Sequence, residues 1–298
     1  MWRIESRRDL DDEERTAVEQ LVLDAAEHDG FRSLSDHLWL QLSSAATDGF
    51  AACLAFDELN RFIGYAQLSE ANDSTLVEIV TAPDARTAAL HEALLRAALA
   101  RVGDRGGGAV NWWVHRPDAT AEAIASAVGL RLGRRLLQMR CQLPIAQTTA
   151  VQTRPFAVGR DEAEWLRVNN AAFHGHPEQG GWTLHTLRQR EAEPWFDPAG
   201  FRLHERDGIL AAFCWTKVHD DASPPMGEIY VIAVDPQFHG LGLGRALTIA
   251  GLDHLAGIGL KVGMLHVDAA NTAAMALYTS LGFSVHHEDH AYVTEIEA

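Results

Sequence analysis

The chain has 298 residues, which is enough for two ordinary domains. Apolar residues make up 47% of it, so it can bury a full core and intrinsic disorder is not expected. The net charge of −16 argues against a nucleic-acid-binding surface, but it is compatible with a phosphate group that is held locally by backbone N–H groups.

The amino-terminal stretch MWRIESRRDLDDEE lacks the apolar segment of a signal peptide, and no apolar run has the length of a membrane span. The three cysteines, Cys53, Cys141 and Cys214, are far apart and form no C-x-x-C motif, which is typical of reduced, buried thiols in a cytoplasm. We therefore expect a cytoplasmic protein with small-molecule substrates and without nucleic-acid or membrane partners. We also expect a monomer.

Two segments of the first half resemble two segments of the second half. VTAPDARTAALHEALL resembles AVDPQFHGLGLGRALT, and AEAIASAVGLRL resembles AAMALYTSLGFSV. Pro83 aligns with Pro236, and the same offset of 153 residues accounts for both matches without a gap. The chain is therefore predicted to contain two copies of one domain, residues 1–146 and 150–298. The small, polar stretch 144–155, which begins and ends with proline, is the predicted linker.

The second copy alternates strands and helices. FRLHERDGILAAFCWTKV predicts two strands around a turn at Asp207-Gly208, and the β-branched stretch 228–234 predicts the next strand. A helix is predicted over residues 242–256, followed by the strand GMLHVDA and by a second helix with Asn271 as its N-cap. This order predicts an α/β fold with a mixed sheet.

The run HGLGLGRAL places three glycines at alternate positions immediately before the predicted helix. No Gly-Lys-Ser/Thr closes it, so it is not a Walker A loop, and Arg245 stands where a dinucleotide-binding fingerprint needs its third glycine. Glycine lets the backbone approach a ligand closely, and a helix N-terminus presents unpaired N–H groups to an anion. The run is therefore typical of a pyrophosphate site. The alternative from this stretch alone is a glycine-rich turn without a ligand.

The glycine run and a later segment together resemble the GNAT family of N-acetyltransferases. The family signature is R/Q-x-x-G-x-G/A after a strand, then an Asn, then A-x-x-x-Y-x-x-x-G-F. The residues that match it here are Gly242, Gly244, Asn271, Tyr278, Gly282 and Phe283. His239 departs from the family, which usually has Arg or Gln at that position. The resemblance covers about half of the chain and, together with the repeat, implies two tandem GNAT-like domains.

The resemblance implies acetyl-CoA as the cosubstrate and no metal ion. The residues that it implies for binding acetyl-CoA are Ile232, Ala233, Val234, His239, Gly240, Leu241, Gly242, Leu243, Gly244, Arg245, Asn271, Thr272, Ala273, Ala274, Met275 and Ala276. Two groups of histidines, one at His174 and His176 and one within 286–290, have no metal-binding role in the family, and we interpret them as polar surface residues.

Acetyl transfer to an amine needs a base for the amine proton and an acid for the leaving thiolate. The resemblance implies Glu228 as the general base and Tyr278 as the acid. The alternatives are a surface carboxylate at a strand end for Glu228 and core packing for Tyr278.

The stretches AFHGHPEQGGWT and FCWTKVH resemble a tandem-domain branch of the GNAT family. Its members acetylate the cysteinyl amine of a cysteine–glucosamine–inositol conjugate. The residues that this resemblance implies for acceptor binding are Asp36, Glu178, Lys217, Glu228 and His266, where His266 departs from an expected Tyr and Asp36 is alternatively a solvated loop residue. Two other functions stay open: acetylation of another amine, such as an aminoglycoside, a polyamine or a protein amine, and CoA binding without catalysis.

The first copy lacks the chemical residues of the second. At the repeat offset, Gly242 corresponds to Ala89, Gly244 to His91 and Tyr278 to Ala125. Arg86, which corresponds to His239, is a family-like residue that the first copy keeps in the ligand-binding loop. We therefore predict that the first domain is degenerate and keeps the fold without catalysis. The alternative is that it still binds CoA in an altered way, because its loop also meets a helix N-terminus.

Overall fold

A computed structural model describes residues 2–43, 49–71, 74–176, 179–220 and 222–297. The chain divides into two compact units. Unit 1 comprises residues 1–135 and 288–298, and unit 2 comprises residues 136–287. Among the described residues, no helix combines the length and the apolar character that crossing a membrane requires.

Unit 1 contains a mixed sheet with the strand order β1-β2-β3-β4-β5-β12. Strands β4 and β5 pair in parallel, and the other neighbouring strands in this order pair antiparallel. Its elements are β1 (Trp2–Arg7), α1 (Asp12–Asp29), α2 (Asp36–Ser43), β2 (Phe50–Asp57), β3 (Phe62–Ala71), β4 (Ser74–Thr81), α3 (Ala88–Gly103), β5 (Gly108–His115), α4 (Ala119–Ala127) and the main part of β12 (Ser284–Ile296). Helix α3 packs against this sheet and supplies much of its apolar core.

The strands of unit 2 are ordered β6-β11-β10-β9-β8-β7 and also include parallel and antiparallel neighbours. Its parallel pair is β10 with β11. Its elements are the main part of β6 (Arg131–Gln142), β7 (Arg154–Pro155), α5 (Glu162–Ala172), α6 (Leu184–Glu191), β8 (Phe201–Arg206), β9 (Ile209–His219), β10 (Met226–Val234), α7 (Leu243–Gly257), β11 (Val262–Asp268) and α8 (Thr272–Ser280). The predicted α/β fold with a mixed sheet is confirmed in both units.

The two halves of the chain have the same element order, as the repeat predicts. In each, three strands lead into a 3₁₀ turn that begins at a proline, Pro83 or Pro236, and a helix, a strand and another helix follow. The predicted boundary at residues 146–150 stays a prediction. The compact units divide the chain elsewhere, because β6, the last strand of the first half, pairs with β11 in unit 2, and β12 pairs with β5 in unit 1.

Local chemistry accounts for the elements that the sequence predicts in unit 2. Asp207 and Gly208, with φ of 54° and 76°, form the tight turn between β8 and β9, and two consecutive positive φ angles are what a two-residue hairpin turn requires. Asn271 is the N-cap of α8, because its side chain accepts a hydrogen bond from the N–H of Ala274 at 3.1 Å. Gly282 follows that helix with φ of 93°.

Two apolar clusters cover the two faces of the sheet in unit 2. On one face, Leu247 and Leu252 of α7 and Phe283, which follows α8, pack against β10 and β11. On the other face, α5 and α6 enclose aromatic side chains around Trp165 and Trp215, whose ring centroids lie 5.8 Å apart in an edge-to-face arrangement. The sheet is therefore covered on both sides, and it holds the C-terminal ends of β10 and β11 in place.

Asp161 connects the start of α5 to β7. Burial alone would raise the pKa of its carboxyl group, but hydrogen bonds from Arg154, Arg160 and the N–H of Ala157 lower that pKa to about 2. Because the pKa is lower in the folded protein, the stabilisation is complete above the ordinary value of 3.8 and is lost as the pH falls toward 2.

We expect Asp161→Asn to lower the free energy of unfolding by about 1.5–3 kcal/mol at neutral pH, the contribution typical of hydrogen bonds to a charged group. The difference from the parent should shrink as the pH falls from 3.8 toward 2, because the parent carboxylate becomes protonated as the pH approaches its folded pKa. Denaturant titrations at neutral pH and near pH 2 measure this difference in the free energy of unfolding. Asp207→Asn in the exposed hairpin turn is the matched control. An equal loss in the control, or a loss that does not depend on pH, would contradict the assignment.

Candidate active site

The site begins where β10 and β11 stop pairing. Their parallel ladder runs from Met226–Val262 to Ile229–Leu265, although β10 continues to Val234. At the same point the register between β10 and β9 shifts, and Tyr230 is the extra residue of this β-bulge. In the described part of the chain, the backbone of β10 beyond Tyr230 therefore has β9 on one side and a gap on the side of β11.

A cavity of about 470 Å³ opens in this gap. Its wall includes residues 232–234 of β10, the glycine loop and residues of α8. The predicted cofactor-binding residues that line it are Ile232, Ala233, Val234, His239, Gly240, Gly242, Leu243, Gly244, Asn271, Ala273 and Ala274. Tyr278, the predicted acid, also lines it. Segments that are far apart in the sequence are thus brought together around one space.

Five predicted cofactor-binding residues are not part of this described wall. Leu241 and Ala276 are exposed, Thr272 is the first residue of α8, and Met275 packs against the apolar core. Arg245 donates a hydrogen bond from its guanidinium to the Ser280 hydroxyl at 2.7 Å. Their predicted contacts with the cofactor stay predictions.

The glycine loop ends at the N-terminus of α7. Gly242 is the N-cap residue with φ of 74°, a left-handed conformation that favours glycine, and it offers no capping side chain. The first-turn N–H groups of α7 therefore have no partner within the helix, and they carry the positive end of its dipole. The side chain of His239 hydrogen-bonds to the carbonyl oxygen of Val234 at 3.2 Å, which ties the loop back to the end of β10.

Glu228 lies on β10 before the bulge and is only 7% exposed. Its two carboxylate oxygens accept hydrogen bonds from two histidines, 2.7 Å from Nε2 of His219 and 3.1 Å from Nδ1 of His266. Burial alone would raise the pKa of this carboxyl, but the two histidine hydrogen bonds outweigh burial and hold the pKa well below its usual range. Glu228 is therefore an anion at neutral pH, fixed between two imidazoles.

Lys217 is buried on β9, directly across from Glu228 in the register of the two strands. Its ammonium group lies 4.8 Å from the ring centroid of Trp195 and 5.6 Å from that of Tyr230, within the range of cation–π attraction. Two predicted acceptor-binding residues, Lys217 and His266, thus flank the predicted base in unit 2.

The other two predicted acceptor-binding residues are not brought to this group. Asp36 is the first residue of α2 in unit 1, where it forms an ion pair with Arg32. Glu178 lies outside the described residues.

Tyr278 lies on α8 and is 8% exposed. Its ring packs against Phe283 with the centroids 5.8 Å apart, and burial raises the pKa of the Tyr278 hydroxyl to about 12. The hydroxyl is therefore protonated at neutral pH, which is the state that a proton donor needs.

Sequence reasoning missed the second histidine on Glu228 and part of the cavity wall. His219 is part of the quoted stretch FCWTKVH, but its contact with Glu228 depends on how β9 and β10 pair, which no local pattern reports. The lining residues that were not predicted are Ala172, Phe173, Phe238, Thr248 and Leu277. These are mostly apolar, so no chemical signal in the sequence separates them from core residues.

Comparison with known proteins identifies the family. The model of the Acetyltransferase (GNAT) family matches residues 165–283, a range that contains every residue of the described cavity wall. A mycothiol acetyltransferase of Thermomonospora curvata is 45% identical over 95% of this chain and 94% of its own. A mycothiol acetyltransferase of Streptomyces coelicolor is 43% identical over 98% of this chain and 95% of its own. The chain belongs to the mycothiol acetyltransferase family.

Solved structures agree with this family in fold. A GNAT protein from Sphaerobacter thermophilus has a TM-score of 0.70 at 19% identity and covers 99% of this chain and 96% of its own. A tandem GNAT protein from the clavulanic acid biosynthesis pathway has the same TM-score at 15% identity, with coverage of 100% of this chain and 99% of its own. At such identities the likeness concerns the fold alone. It confirms the prediction of two tandem GNAT-like domains.

Proposed function

We propose that this protein transfers the acetyl group of acetyl-CoA to the cysteinyl amine of a cysteine–glucosamine–inositol conjugate, which yields mycothiol. The observation that carries the proposal is the similarity of nearly the whole chain, at 42–45% identity, to relatives named mycothiol acetyltransferase. The cavity in the GNAT-like part of unit 2 supports it, because its wall has the groups that acetyl-CoA needs.

Acetyl-CoA would lie along the gap between β10 and β11. The N–H groups at the start of α7 suit the pyrophosphate, because they are unpaired within the helix and Gly242 and Gly244 let phosphate oxygens approach the backbone. The open backbone of 232–234 suits the amide groups of the pantetheine arm, which would pair with it as a short added strand. This orientation directs the thioester toward the bulge at Tyr230 and the Glu228 cluster.

The acceptor would enter from the side of Glu228. A cysteinyl amine is partly ammonium at neutral pH, and the buried carboxylate of Glu228 attracts that charge. Lys217 and His266 provide polar groups beside it, and we keep Glu178 and Asp36 as proposed contacts of the sugar and inositol hydroxyls. Tyr278 would donate its proton to the sulfur of the leaving thiolate, since its hydroxyl is protonated at neutral pH and lines the cavity.

The test is the thiol content of cells from which this gene has been deleted. We expect mycothiol to disappear and its des-acetyl precursor to accumulate, as measured by mass spectrometry of low-molecular-weight thiols. A copy of the gene restored on a plasmid should reverse both changes. An unchanged thiol pool in the deleted strain would contradict the proposed acceptor.

A further inference from the structure

The carboxylate of Glu228 has both of its oxygens engaged before an acceptor amine arrives. A carboxylate only accepts hydrogen bonds, so the two imidazole nitrogens that contact it, Nε2 of His219 and Nδ1 of His266, must both be donors. One carboxylate oxygen accepts the hydrogen bond of each histidine. Each oxygen keeps a further lone pair, but the Glu228 side chain is only 9% exposed, so burial limits the direct access of an amine to this carboxylate.

His266 borders the gap between β10 and β11, although it is not among the described residues of the cavity wall. It is the first residue of β11 beyond the last rung of the ladder with β10, Ile229–Leu265, so it lies at the start of the gap that holds the cavity. Its side chain is 31% exposed, whereas that of Glu228 is 9% exposed. Of these two side chains, His266 is the one that solvent and an acceptor can reach more readily.

Neighbouring side chains fix the orientation of the His266 ring. Because Nδ1 donates to Glu228, the neutral ring has its lone pair on Nε2. The amide nitrogen of Gln138, across from His266 on β6, lies 3.4 Å from that Nε2 atom. The amide is itself oriented, since Nε of Arg140 donates to the Gln138 oxygen at 2.8 Å. A chain of hydrogen bonds from Arg140 to Glu228 thus specifies one tautomer. In it the Gln138 amide faces the Nε2 lone pair at the long distance of 3.4 Å, so an arriving amine has to replace this contact.

We propose that Nε2 of His266 accepts the proton of the attacking amine, and that Glu228 is the positioning residue that holds this imidazole and balances its charge. The inference rests on the proposed function and assigns the base within it. It also gives a role to a residue that departs from the Tyr expected from the family.

The step balances in atoms and charge. The amine nitrogen forms a bond to the thioester carbonyl carbon, and the nitrogen transfers one proton to Nε2 of His266. The bond from that carbon to sulfur breaks, and the thiolate takes the hydroxyl proton of Tyr278. The products are the amide and free CoA, and His266 and Tyr278 return to their starting states when a proton passes from one to the other through solvent.

The carboxylate of Glu228 stabilises a positive charge on His266 during the reaction. Glu228 is an anion, since the hydrogen bonds of the two histidines outweigh burial and keep the pKa of this carboxyl low. Other titratable side chains near this pair include His219 on Glu228, Lys217 across from Glu228 and Arg140 behind Gln138. They also include His287, one ring nitrogen of which lies within 4.8 Å of a ring nitrogen of His266. Glu228 contacts the ring directly through Nδ1 of His266, as the carboxylate does in the carboxylate–histidine pairs of other enzymes.

The test compares His266→Gln with His185→Gln, a change at an exposed histidine on α6 in the same unit. Glutamine keeps polar contacts but takes no proton, so we expect His266→Gln to lower kcat by a factor of about 10²–10⁴ and to leave the Kd for acetyl-CoA within about twofold. The loss should shrink as the pH rises, and added imidazole should restore part of the kcat of His266→Ala. Full activity of His266→Gln, or no response of His266→Ala to imidazole, would overturn the proposal.

A second measurement does not depend on the acceptor. In ¹⁵N spectra of the parent protein, neutral His266 should have its proton on Nδ1 and a lone pair on Nε2, and Glu228→Gln should redistribute the tautomers. The opposite tautomer in the parent would overturn the assignment of the base. A parent that has this tautomer but does not acetylate the cysteinyl amine would instead overturn the proposed function.

Discussion

Gly242→Val should weaken acetyl-CoA binding by about a hundredfold. The change places a branched side chain on the N-cap of α7, where the backbone meets the proposed pyrophosphate. It therefore removes at least one charge-assisted hydrogen bond, and the hundredfold loss corresponds to about 3 kcal/mol of binding free energy. A Cβ atom at this position would have none of the described protein atoms within 4 Å, so the added group points into open space and not into the core. Isothermal titration calorimetry with acetyl-CoA and with CoA measures the effect.

Two controls separate this effect from backbone strain and from the first domain. Gly259 also has a positive φ and room for an added Cβ atom, and it lies after the other end of α7, away from the cavity wall. Gly259→Val therefore has the same kind of strain, and we expect it to leave the Kd near that of the parent. Ala89→Val changes the position of unit 1 that corresponds to Gly242, and it should leave turnover near normal. Equal losses in Gly242→Val and Ala89→Val would contradict a single productive site in unit 2.

Glu228→Gln and Tyr278→Phe should both lose rate, but with different dependence on pH. Glu228→Gln removes the anion that both histidines contact, so proton removal from the amine becomes inefficient and kcat/KM should fall by a factor of about 10²–10⁴ at neutral pH. Raising the pH should recover part of this loss, since more of the acceptor is free amine. Tyr278→Phe should show no such recovery, because a more basic medium supplies no proton to the leaving sulfur.

The pH–rate profiles of the two variants test whether Glu228 acts in proton removal from the amine and Tyr278 in proton donation to the sulfur. Tyr292→Phe is a suitable control, because Tyr292 is a buried tyrosine of unit 1 whose ring packs on Trp112 and the change removes only a hydroxyl group. If Glu228→Gln keeps the profile and the rate of the parent, Glu228 is a structural residue of the strand. If Tyr278→Phe keeps the parent rate, the thiolate leaves without a proton from this hydroxyl.

Much of unit 2 follows from local chemistry and can be predicted from the sequence. Helix α7 is predicted over 242–256 and extends over Leu243–Gly257, because a glycine N-cap and a regular apolar face mark it in the sequence. The Asn271 cap and the turn at Asp207-Gly208 are predictable for the same reason, since each depends on neighbouring residues alone.

Non-local pairing limits the remaining predictions. Strand β6 pairs with β11, and their register places Gln138 opposite His266, which is 128 residues away in the sequence. No local sequence pattern therefore predicts the hydrogen-bond chain from Arg140 to Glu228. The contact of His219 with Glu228 likewise depends on the register of β9 and β10 before the bulge. The degenerate character of the first domain and the acceptor contacts of Asp36 and Glu178 stay predictions, because they concern ligands and not the fold.

The most direct test of the proposed function is acetylation by the purified protein with three acceptors in parallel. Cysteinyl-glucosaminyl-inositol, a polyamine and an aminoglycoside are each incubated with acetyl-CoA, free thiol release is followed, and the products are analysed by mass spectrometry. We expect CoA release with the first acceptor and a single acetyl group on its cysteinyl nitrogen, with kcat/KM at least about a hundredfold above that for the others, since about 3 kcal/mol of selective contacts suffices. Release with the polyamine or aminoglycoside alone, or tight CoA binding without release, would contradict the proposed function.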